Sequence, residues 1–216
     1  MMKLYGYFRS SAAFRVRIAL NLKGLAYETE LVNLSTGEHL SDDFRRVNPQ
    51  GRVPALVIDD TVLLQSPAIL EYLEETYPTP AFLPEGAKAR ARVRAIANIV
   101  ACDIHPLNNL AVLNYLSGPL SASDQQKTTW YQHWVAEGFN AVEPLLAGSA
   151  DTGQFCHGDD PGLVDICLVP QVFNAQRFGC DLSAYPTIER IFSACMECEA
   201  FDAAQPAKQP EAADIA

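Results

Sequence analysis

Two adjacent serines stand where a strand is expected to end and a helix to begin. The stretch Arg9-Ser10-Ser11 follows a short apolar run and precedes a helical pattern. The start of a helix presents unpaired backbone N–H groups and the positive end of the helix dipole, which together favour an anion. A serine hydroxyl at this point can donate a hydrogen bond to a thiolate and so lower the pKa of a thiol. The alternative is that Ser11 serves only as the N-cap of the helix.

Two further segments have the chemistry of a peptide-binding edge. Val53-Pro54 opens a strand, where proline is confined to an edge or a special turn, and this placement favours a cis bond. An edge backbone with free N–H and C=O groups can pair with a peptide. Gln65 and Ser66 open another helix, with Pro67 at the favoured first position, and can offer an amide side chain and helix-start N–H groups to a carboxylate or an ammonium.

The elements expected around these segments alternate in type. Their order is βαβ and then ββα, which predicts a mixed sheet with helices packed on it, because a βαβ unit gives a parallel pair and a hairpin adds antiparallel strands. The residues from 35 to 48 form a polar segment with no assigned element. The predicted elements are a strand at 3–7, a helix from Ser11 to Lys23, strands at 27–34, 53–58 and 61–64, and a helix at 65–77.

Three prolines and a glycine between Pro78 and Gly86 mark the best domain boundary in the chain. After this boundary the strand pattern disappears, and helices are predicted at 88–116, 123–146, 162–178 and 186–201. The sequence therefore predicts an α/β domain over residues 1–80 and an all-helical domain over residues 87–203. The Ala-rich residues 204–216, with their prolines, are predicted to be a flexible tail.

Composition limits the classes of partner that this chain can have. The 216 residues are 49% hydrophobic and carry a formal net charge of −10. Nucleic acids and anionic membranes select for basic surfaces, so neither is an expected partner. The N-terminus has no long apolar run, and no stretch approaches the ~18 consecutive apolar residues of a membrane span, which predicts a soluble protein without a secretory signal.

The six cysteines lie mostly among apolar neighbours, which predicts free, buried thiols in a reducing, cytoplasmic compartment. Cys195 and Cys198 have the spacing of a redox or metal motif. No strand is predicted before them, so packing within a helix is the favoured interpretation and no metal site is expected.

The serine-rich segment and the residues that follow it resemble a known family nearly from end to end. The first domain resembles the thioredoxin-like glutathione-binding domain of the glutathione transferases. More narrowly, the chain is similar to the zeta class, which includes the maleylacetoacetate and maleylpyruvate isomerases. The motifs that carry the resemblance are Ser10–Leu20, Leu22–Gly24, Asn48–Pro54, Gln65–Glu75, Asp103–Asn109 and Asn174–Phe178.

The resemblance implies glutathione as the cofactor, a homodimer, and a set of glutathione-binding residues. Ser10 or Ser11 would stabilise the glutathione thiolate, and the backbone of Val53, before a cis-Pro54, would pair with the cysteinyl part. The γ-glutamyl end would be held by Gln65 and Ser66. His39 stands where the family has a glutamine near the glycyl end.

The resemblance also implies contacts to the substrate. Arg177 would pair with one substrate carboxylate and Arg9 with the other. His105, Asn108 and Asn109 would face glutathione or substrate from the helical domain. The alternatives are a capping or core role for His105 and an ion pair with an acidic neighbour for Arg177.

The chain departs from the family at two positions. Ala12 replaces the signature cysteine, which we expect to alter the substrate range more than to abolish activity, because the nucleophile is the thiol of glutathione. Gly162 replaces a Ser/Thr cap, at an expected cost of a few tenths of a kcal/mol. Arg15 and Arg17 lie inside the first helix, and a structural role is the favoured interpretation for both.

The implied activity is the glutathione-dependent cis–trans isomerisation of maleylacetoacetate or maleylpyruvate. Two other classes of function stay open. One is a conjugating transferase or dehalogenase with an apolar substrate pocket, and the other is a binding module that keeps the fold without the chemistry. The source of the substrate, tyrosine breakdown or gentisate and salicylate breakdown, is also left open by the sequence.

Overall fold

The computed structural model of the chain describes residues 2–212 and divides it into two compact units. The first unit contains the residues up to Phe82 together with those from Met196 onward. The second unit runs from Leu83 to Cys195.

The first unit is built on a mixed sheet of four strands with the order β2-β1-β3-β4. Strand β1 pairs in parallel with β2 and antiparallel with β3, and β3 pairs antiparallel with β4. This is the mixed sheet that the order of the predicted elements required. The strands are β1 (Met2–Gly6), β2 (Tyr27–Leu31), β3 (Ala55–Ile58) and β4 (Thr61–Leu64).

Helices cover this sheet and bury its apolar side chains. The first helix is buried at nine of its 12 residues, because it packs between the sheet and other helices. The helices of the first unit are α1 (Ser11–Leu22), α2 (Asp42–Val47), α3 (Ser66–Thr76) and α9 (Glu199–Asp202), with 3₁₀ turns at Glu38–Leu40 and Pro206–Lys208. Helix α2 lies in the segment that the sequence left unassigned. It buries only Phe44, so it has no apolar periodicity to reveal it.

The C-terminal residues differ from the prediction of a flexible tail. Phe201 and Ala204 are almost completely buried, and the side chain of Asn21 on α1 donates to the carbonyl of Ala200 at 3.0 Å. The described residues after Met196 therefore belong to the first unit, not to the helical domain or to a tail. Local sequence did not reveal this, because contacts with α1, nearly 200 positions earlier, supply the burial. Residues 213–216 of the predicted tail lie outside the described residues.

A buried ion pair closes the first unit at its boundary. Lys23 Nζ lies 3.1 Å from the carboxylate of Glu74, and it also donates to the carbonyl of Pro80. The same ammonium lies 3.8 Å from the centre of the Phe82 ring, and Glu74 accepts the backbone N–H of Phe82 at 2.8 Å. These contacts tie α1, α3 and the residues up to Phe82 together.

The second unit is entirely helical in its regular elements. Its helices are α4 (Ala87–Asn98), α5 (Leu110–Ser117), α6 (Asp124–Ala147), α7 (Leu163–Arg177) and α8 (Pro186–Met196), the last of which ends at the unit boundary. Helix α7 is the central one, with 12 of its 15 residues buried. The single helix predicted at 88–116 is interrupted by a π-helical turn at Ile99–Ile104 and a 3₁₀ turn at His105–Leu107.

The run Ala87–Ser117, counted across its π-helical and 3₁₀ turns, is long and apolar enough, by length and composition alone, to cross a membrane. One third of its most apolar window is buried within the protein. Its buried residues include Val93, Ile96 and Val100, which contribute to the core of the helical unit. Core helices of soluble proteins pass the same test, so the run by itself does not indicate a membrane protein.

Candidate active site

The loop between β1 and α1 holds the two serines at the start of a helix. Ser10, not Ser11 as one interpretation of the sequence had it, is the N-cap, and its Oγ accepts the backbone N–H of Ala13 at 3.2 Å. The turn before it is closed by the Ser10 N–H, which donates to the carbonyl of Tyr7 at 2.9 Å. No acidic side chain lies in the first turn of α1, so the positive end of this helix is not neutralised by its own residues.

The two serines differ in accessibility. Ser11 is 5% exposed, whereas Ser10 is only half-buried. The Oγ of Ser10 accepts a bond from Ala13, and a hydroxyl that accepts one bond can still donate its own hydrogen. Ser10 is therefore the serine better placed to donate to a ligand.

The strand register brings the three sequence segments to one edge of the sheet, the edge formed by the ends of its strands and not by an outer strand. The last residue pair of β1 and β3 is Tyr5 with Ala55, and the same Ala55 is paired with Leu64 of β4. The end of β1, the residues just before Ala55 and the residues just after Leu64 must therefore be neighbours.

Val53-Pro54 lies at this edge, and its peptide bond is cis, as the sequence predicted. Val53 lies two residues beyond the last residue of β3 that pairs with β1, so its backbone N–H and C=O are at the open end of the ladder. Asn48 supports this run, because its Nδ2 donates to the carbonyl of Arg52 at 2.6 Å. β3 is an interior strand of the sheet, so Val53 lies beyond the end of a paired strand and not on an edge strand, and its backbone there can pair with an extended peptide.

Gln65 and Ser66 stand at the start of α3, beside this edge. Gln65 is exposed and has a φ of 66°, and its Nε2 donates to Oε1 of Gln50 at 2.6 Å. Ser66 is buried, and its Oγ accepts a hydrogen bond from Nη1 of Arg15 at 3.4 Å. Helix α3 has neither a side-chain cap nor an acidic residue in its first turn, so its starting N–H groups favour a carboxylate.

His39 lies on a 3₁₀ turn that packs against the same run. A Cβ at Gly51, whose φ is 61°, would lie 2.9 Å from the carbonyl oxygen of His39, so only glycine permits this approach. Burial, with a smaller contribution from the cation of Arg45, lowers the pKa of His39. His39 is therefore a neutral hydrogen-bonding group at neutral pH.

In the helical unit, the segment from His105 to Asn109 directly follows the π-helical turn. Trp130 Nε1 donates to the carbonyl of Leu107 at 2.8 Å, and Nδ2 of Asn108 donates to the carbonyl of Tyr131 at 3.2 Å. Asn108 is buried, and its Oδ1 has no hydrogen-bond partner among residues 2–212. His105 is half-buried at the first position of the 3₁₀ turn.

Both ends of the Asn109 side chain are used by the backbone. Oδ1 accepts the N–H of Val112 at 3.1 Å and so caps α5, while Nδ2 donates to the carbonyl of Pro106 at 2.8 Å. This geometry favours a structural role for Asn109 over the predicted contact with a ligand.

The two predicted substrate arginines share one arrangement. Each is exposed, and each guanidinium lies over the ring of an adjacent phenylalanine, Arg9 over Phe8 at 4.8 Å and Arg177 over Phe178 at 5.3 Å. A guanidinium that stacks on a ring keeps its planar fork of N–H groups at the edge, which suits a carboxylate.

Tyr131 joins Arg177 to Asn108 within the helical unit. Its ring stacks on that of Phe178 with centroids 3.7 Å apart, and its backbone carbonyl holds Asn108. Burial raises the pKa of Tyr131, so it stays neutral. Sequence reasoning missed Tyr131, because on a helix with Val135 and Phe139 it has only the pattern of a core residue.

The Cys195–Cys198 motif is not part of a metal-binding cluster among residues 2–212. Within residues 2–212 no group of three or more His, Cys, Asp and Glu side chains is arranged to hold a metal ion. Cys195 is buried, with Sγ 3.9 Å from Oδ1 of Asp165, and both motif cysteines are free thiols.

The edge in the first unit can therefore bind an extended peptide with anionic groups. Two helix starts without acidic residues and the unpaired residues before β3 lie at the same end of the strands. A tripeptide with a central thiol and carboxylates at both ends, such as glutathione, fits this set of donors.

Comparisons with known proteins point the same way. Residues 1–75 match the family described as glutathione S-transferase, N-terminal domain. The chain is 51% identical to a maleylpyruvate isomerase of Ralstonia sp over 212 residues, which cover 98% of this chain and 100% of the relative.

Solved structures of the same kind are similar over nearly the whole chain. The holo structure of a maleyl pyruvate isomerase, described as a bacterial zeta-class glutathione S-transferase, has a TM-score of 0.96 at 51% identity and covers 97% of this chain and 99% of its own. A maleylacetoacetate isomerase of Methylobacterium extorquens AM1, with bound malonate and glutathione, has a TM-score of 0.93 at 43% identity, with coverages of 96% and 98%.

Proposed function

Because the chain belongs to the zeta-class glutathione transferase family of maleylpyruvate and maleylacetoacetate isomerases, we propose that it catalyses the glutathione-dependent cis–trans isomerisation of one of these two compounds. The observation that carries the proposal is the start of α1. An accessible serine hydroxyl, Ser10, stands at an anion-favouring helix N-terminus on the same edge of the sheet as Val53-Pro54.

Bound glutathione supplies a thiolate for reversible addition to the conjugated cis double bond, which permits rotation and then elimination of the trans isomer. Ser10 donates a hydrogen bond to the sulfur, and the starting N–H groups of α1 add the field of the helix, so both favour the ionised thiol. Ser11 is buried and supports the helix start. The sequence left Ser10 and Ser11 as alternatives, and the greater exposure of Ser10 supports its choice.

The remaining glutathione contacts follow the edge of the first unit. The backbone of Val53 pairs with the cysteinyl residue, and the start of α3 at Gln65 and Ser66 binds the γ-glutamyl carboxylate. His39 donates a hydrogen bond to the glycyl end. Each of these groups holds the peptide in place while the sulfur reacts.

Two arginines hold the carboxylates of the substrate. The net charge of −10 repels a dianion at long range, so binding requires local cations. Arg9 and Arg177 supply them, and their guanidinium groups can also stabilise the negative charge that develops during addition. His105 contributes a polar group from the helical unit, and the buried Oδ1 of Asn108, an acceptor, can pair only with an N–H or O–H group of a ligand.

We further propose a cytoplasmic homodimer that works in the breakdown of tyrosine or another aromatic compound. The helical run Ala87–Ser117 supports the dimer, because only one third of its most apolar window is buried in the single chain. Light scattering on the purified protein would test this, and a monomer at micromolar concentration would contradict it.

A conjugating transferase is the second candidate, and one observation favours it. The helical unit has an open cavity of about 370 Å³ whose walls are almost entirely apolar. Such a cavity suits the uncharged electrophiles of a conjugating enzyme better than a dicarboxylate. The lining residues are Ala111, Val112, Tyr115, Leu116, Leu120 and Trp130.

The test is turnover of maleylpyruvate and maleylacetoacetate with and without glutathione, followed by loss of the cis-enol absorbance. We expect glutathione-dependent turnover, a loss on the order of 100-fold in Ser10→Gly, and a rise in KM with smaller loss of kcat in Arg177→Ala. Glycine at the cap costs the helix only a few tenths of a kcal/mol, so Ser10→Gly isolates the hydroxyl. Turnover of a halogenated aromatic, without turnover of either maleyl compound, would favour the transferase instead.

A further inference from the structure

Arg17 lies at a point where two distant parts of the first unit meet. It is 2% exposed, and its guanidinium donates from Nη2 to the carbonyl of Phe8 and from Nε to the carbonyl of Ala204, both at 3.0 Å. Burial, partly offset by Tyr27 and Glu211, lowers the pKa of Arg17 to about 10. The side chain is therefore still a cation at neutral pH, and its charge is directed at two backbone oxygens.

The first of these oxygens belongs to the turn that ends at Ser10. The Ser10 N–H donates to the carbonyl of Tyr7, so Phe8 and Arg9 are the two central residues of a four-residue turn. The peptide plane between the two central residues is the one that flips between turn types, and its oxygen is the Phe8 carbonyl. Arg17 holds that oxygen and thereby fixes the direction from which the chain enters Ser10.

The second oxygen belongs to the C-terminal segment, here defined as residues 199–209. Phe201 and Ala204 of this segment are buried, and Asn21 holds the carbonyl of Ala200 at 3.0 Å. The segment thus helps to exclude water from Arg17 and supplies one of its two acceptors. Removal of the segment would leave the guanidinium hydrated and its bond to Phe8 weaker.

We propose that Arg17 is a positioning residue for the thiol-activating serine, and that the C-terminal segment acts on the same turn through Arg17. The inference rests on the proposed role of Ser10. It assigns a function in thiolate formation to Arg17, a side chain that is almost completely buried.

The test measures the pKa of enzyme-bound glutathione from its thiolate absorbance as a function of pH, without any maleyl substrate. In Arg17→Met, which keeps the length of the side chain and removes both bonds, we expect this pKa to rise by about one unit, a tenfold loss of thiolate at neutral pH. The value of kcat should fall about tenfold at neutral pH and recover at higher pH, with a change in KM for glutathione of less than about threefold. Arg17→Lys, which keeps a cation, should recover part of the loss.

Arg190→Met is the control for the loss of two arginine–carbonyl bonds at an exposed position. Arg190 also donates to two backbone carbonyls, those of Gln154 and Gly153 at 3.1 and 3.0 Å, but it lies in the helical unit. We expect its loss to leave the pKa of bound glutathione unchanged. An equal shift in Arg190→Met and Arg17→Met would show a general effect of destabilisation and overturn the proposal.

The role of the segment is tested separately with a chain that ends at Cys198 and with Asn21→Ala. Both should raise the pKa of bound glutathione, the truncation by up to one unit and Asn21→Ala by less. If the truncated chain does not fold, Asn21→Ala still decides, since an unchanged pKa there rules out coupling through the segment. A shift in Ser10→Gly with none in Arg17→Met defeats only this inference, whereas no shift in Ser10→Gly defeats the proposed role of Ser10.

Discussion

Helices α1 and α7 begin with opposite solutions to the same physical problem. Each has backbone N–H groups in its first turn that no helical carbonyl can accept. At α7, the carboxylate of Asp165 lies in the first turn of the helix. Its Oδ2 accepts the N–H of Gly162 at 2.8 Å, and its Oδ1 accepts the N–H of Cys156 at 3.0 Å. At α1, Ser10 accepts one N–H and no acidic residue occupies the first turn.

The difference separates a helix start that stabilises the fold from one where we propose that a ligand binds. A carboxylate from the protein itself neutralises the start of α7, and this carboxylate is buried. The start of α6 is likewise filled, by Asp124 and a reciprocal Ser123–Gln126 cap. The starts of α1 and α3 have no acidic residue, and both lie at the edge where glutathione is proposed to bind. The starts of α4 and α5 also lack an acidic residue, so an open start permits an anion and does not by itself identify a site.

The largest effect is expected from filling the open start of α1. Ala12→Asp places a carboxylate in its first turn, where it competes with the thiolate for the same field. We expect the pKa of bound glutathione to rise and turnover at neutral pH to fall by about 100-fold or more. Thermal stability should not fall, because an acid in the first turn stabilises a helix.

The matched control is Ala12→Asn, which has the same shape without the charge, and it should retain most of the activity. Ala12→Cys, which restores the residue typical of the family, is expected to change the ratio of activities on different substrates more than the rate on any one. Full turnover in Ala12→Asp would mean that the start of α1 is not the thiolate site.

The next largest effect is expected from the reverse experiment, which removes the carboxylate from the start of α7. Asp165→Asn offers one acceptor where the carboxylate offered two and turns an NH₂ group toward a backbone N–H. We expect a loss of about 2 kcal/mol in the free energy of unfolding. Activity per folded molecule should be unchanged. A drop in kcat without a drop in stability would contradict the division between the two helix starts.

Asp165 also gives a pH dependence whose sign is fixed. Burial raises the pKa of its carboxyl above the ordinary value, so the folded state binds this proton more tightly than the unfolded state does. The free energy of unfolding should therefore decrease as pH rises from the ordinary pKa of aspartate to the raised one. Denaturant unfolding over acidic pH should show this decrease in the wild type and not in Asp165→Asn.

A smaller effect is expected at His39, on the pH dependence of glutathione binding. It shows whether the glycyl carboxylate of glutathione is bound by a charged group or by neutral donors. The lowered pKa of His39 makes it neutral at neutral pH, so binding should tighten as the pH falls and the imidazole becomes protonated. For a partly exposed ion pair we expect roughly a threefold decrease in Kd. Calorimetry with S-methylglutathione, which has no ionisable thiol, measures this directly. In His39→Gln the affinity should be nearly independent of pH.

The sequence predicted those parts of the site whose geometry is local. The mixed sheet, the cis bond at Val53-Pro54 and the helix start at Ser66 follow from short-range patterns. It left the choice between Ser10 and Ser11 open, because the fold determines which of them caps α1 and which is buried.

Other features depend on contacts between distant residues. The π-helical turn packs against α6 at Gly138, where any Cβ would lie 2.2 Å from the side chain of Ile104. Neither residue alone predicts that turn. The roles of Tyr131 and Arg17 likewise depend on partners 23 or more positions away, Asn108 for Tyr131 and Ala204 for Arg17. Periodicity marks such residues as core and does not show what they hold.

The smallest effect is expected at Gly162, the N-cap of α7, which has no side chain to accept a backbone N–H. Gly162 has an extended φ of −132°, which any residue can adopt. Gly162→Ser adds an oxygen that can accept the N–H of Asp165 and complete the reciprocal cap, so we expect a gain of about 0.3 kcal/mol. In a chain of this size this corresponds to about 1 °C in Tm. Gly162→Ala should lower Tm, since alanine is a poorer cap than glycine. A gain in Gly162→Ala equal to that in Gly162→Ser would show that reduced freedom of the unfolded chain, not the cap, accounts for the change.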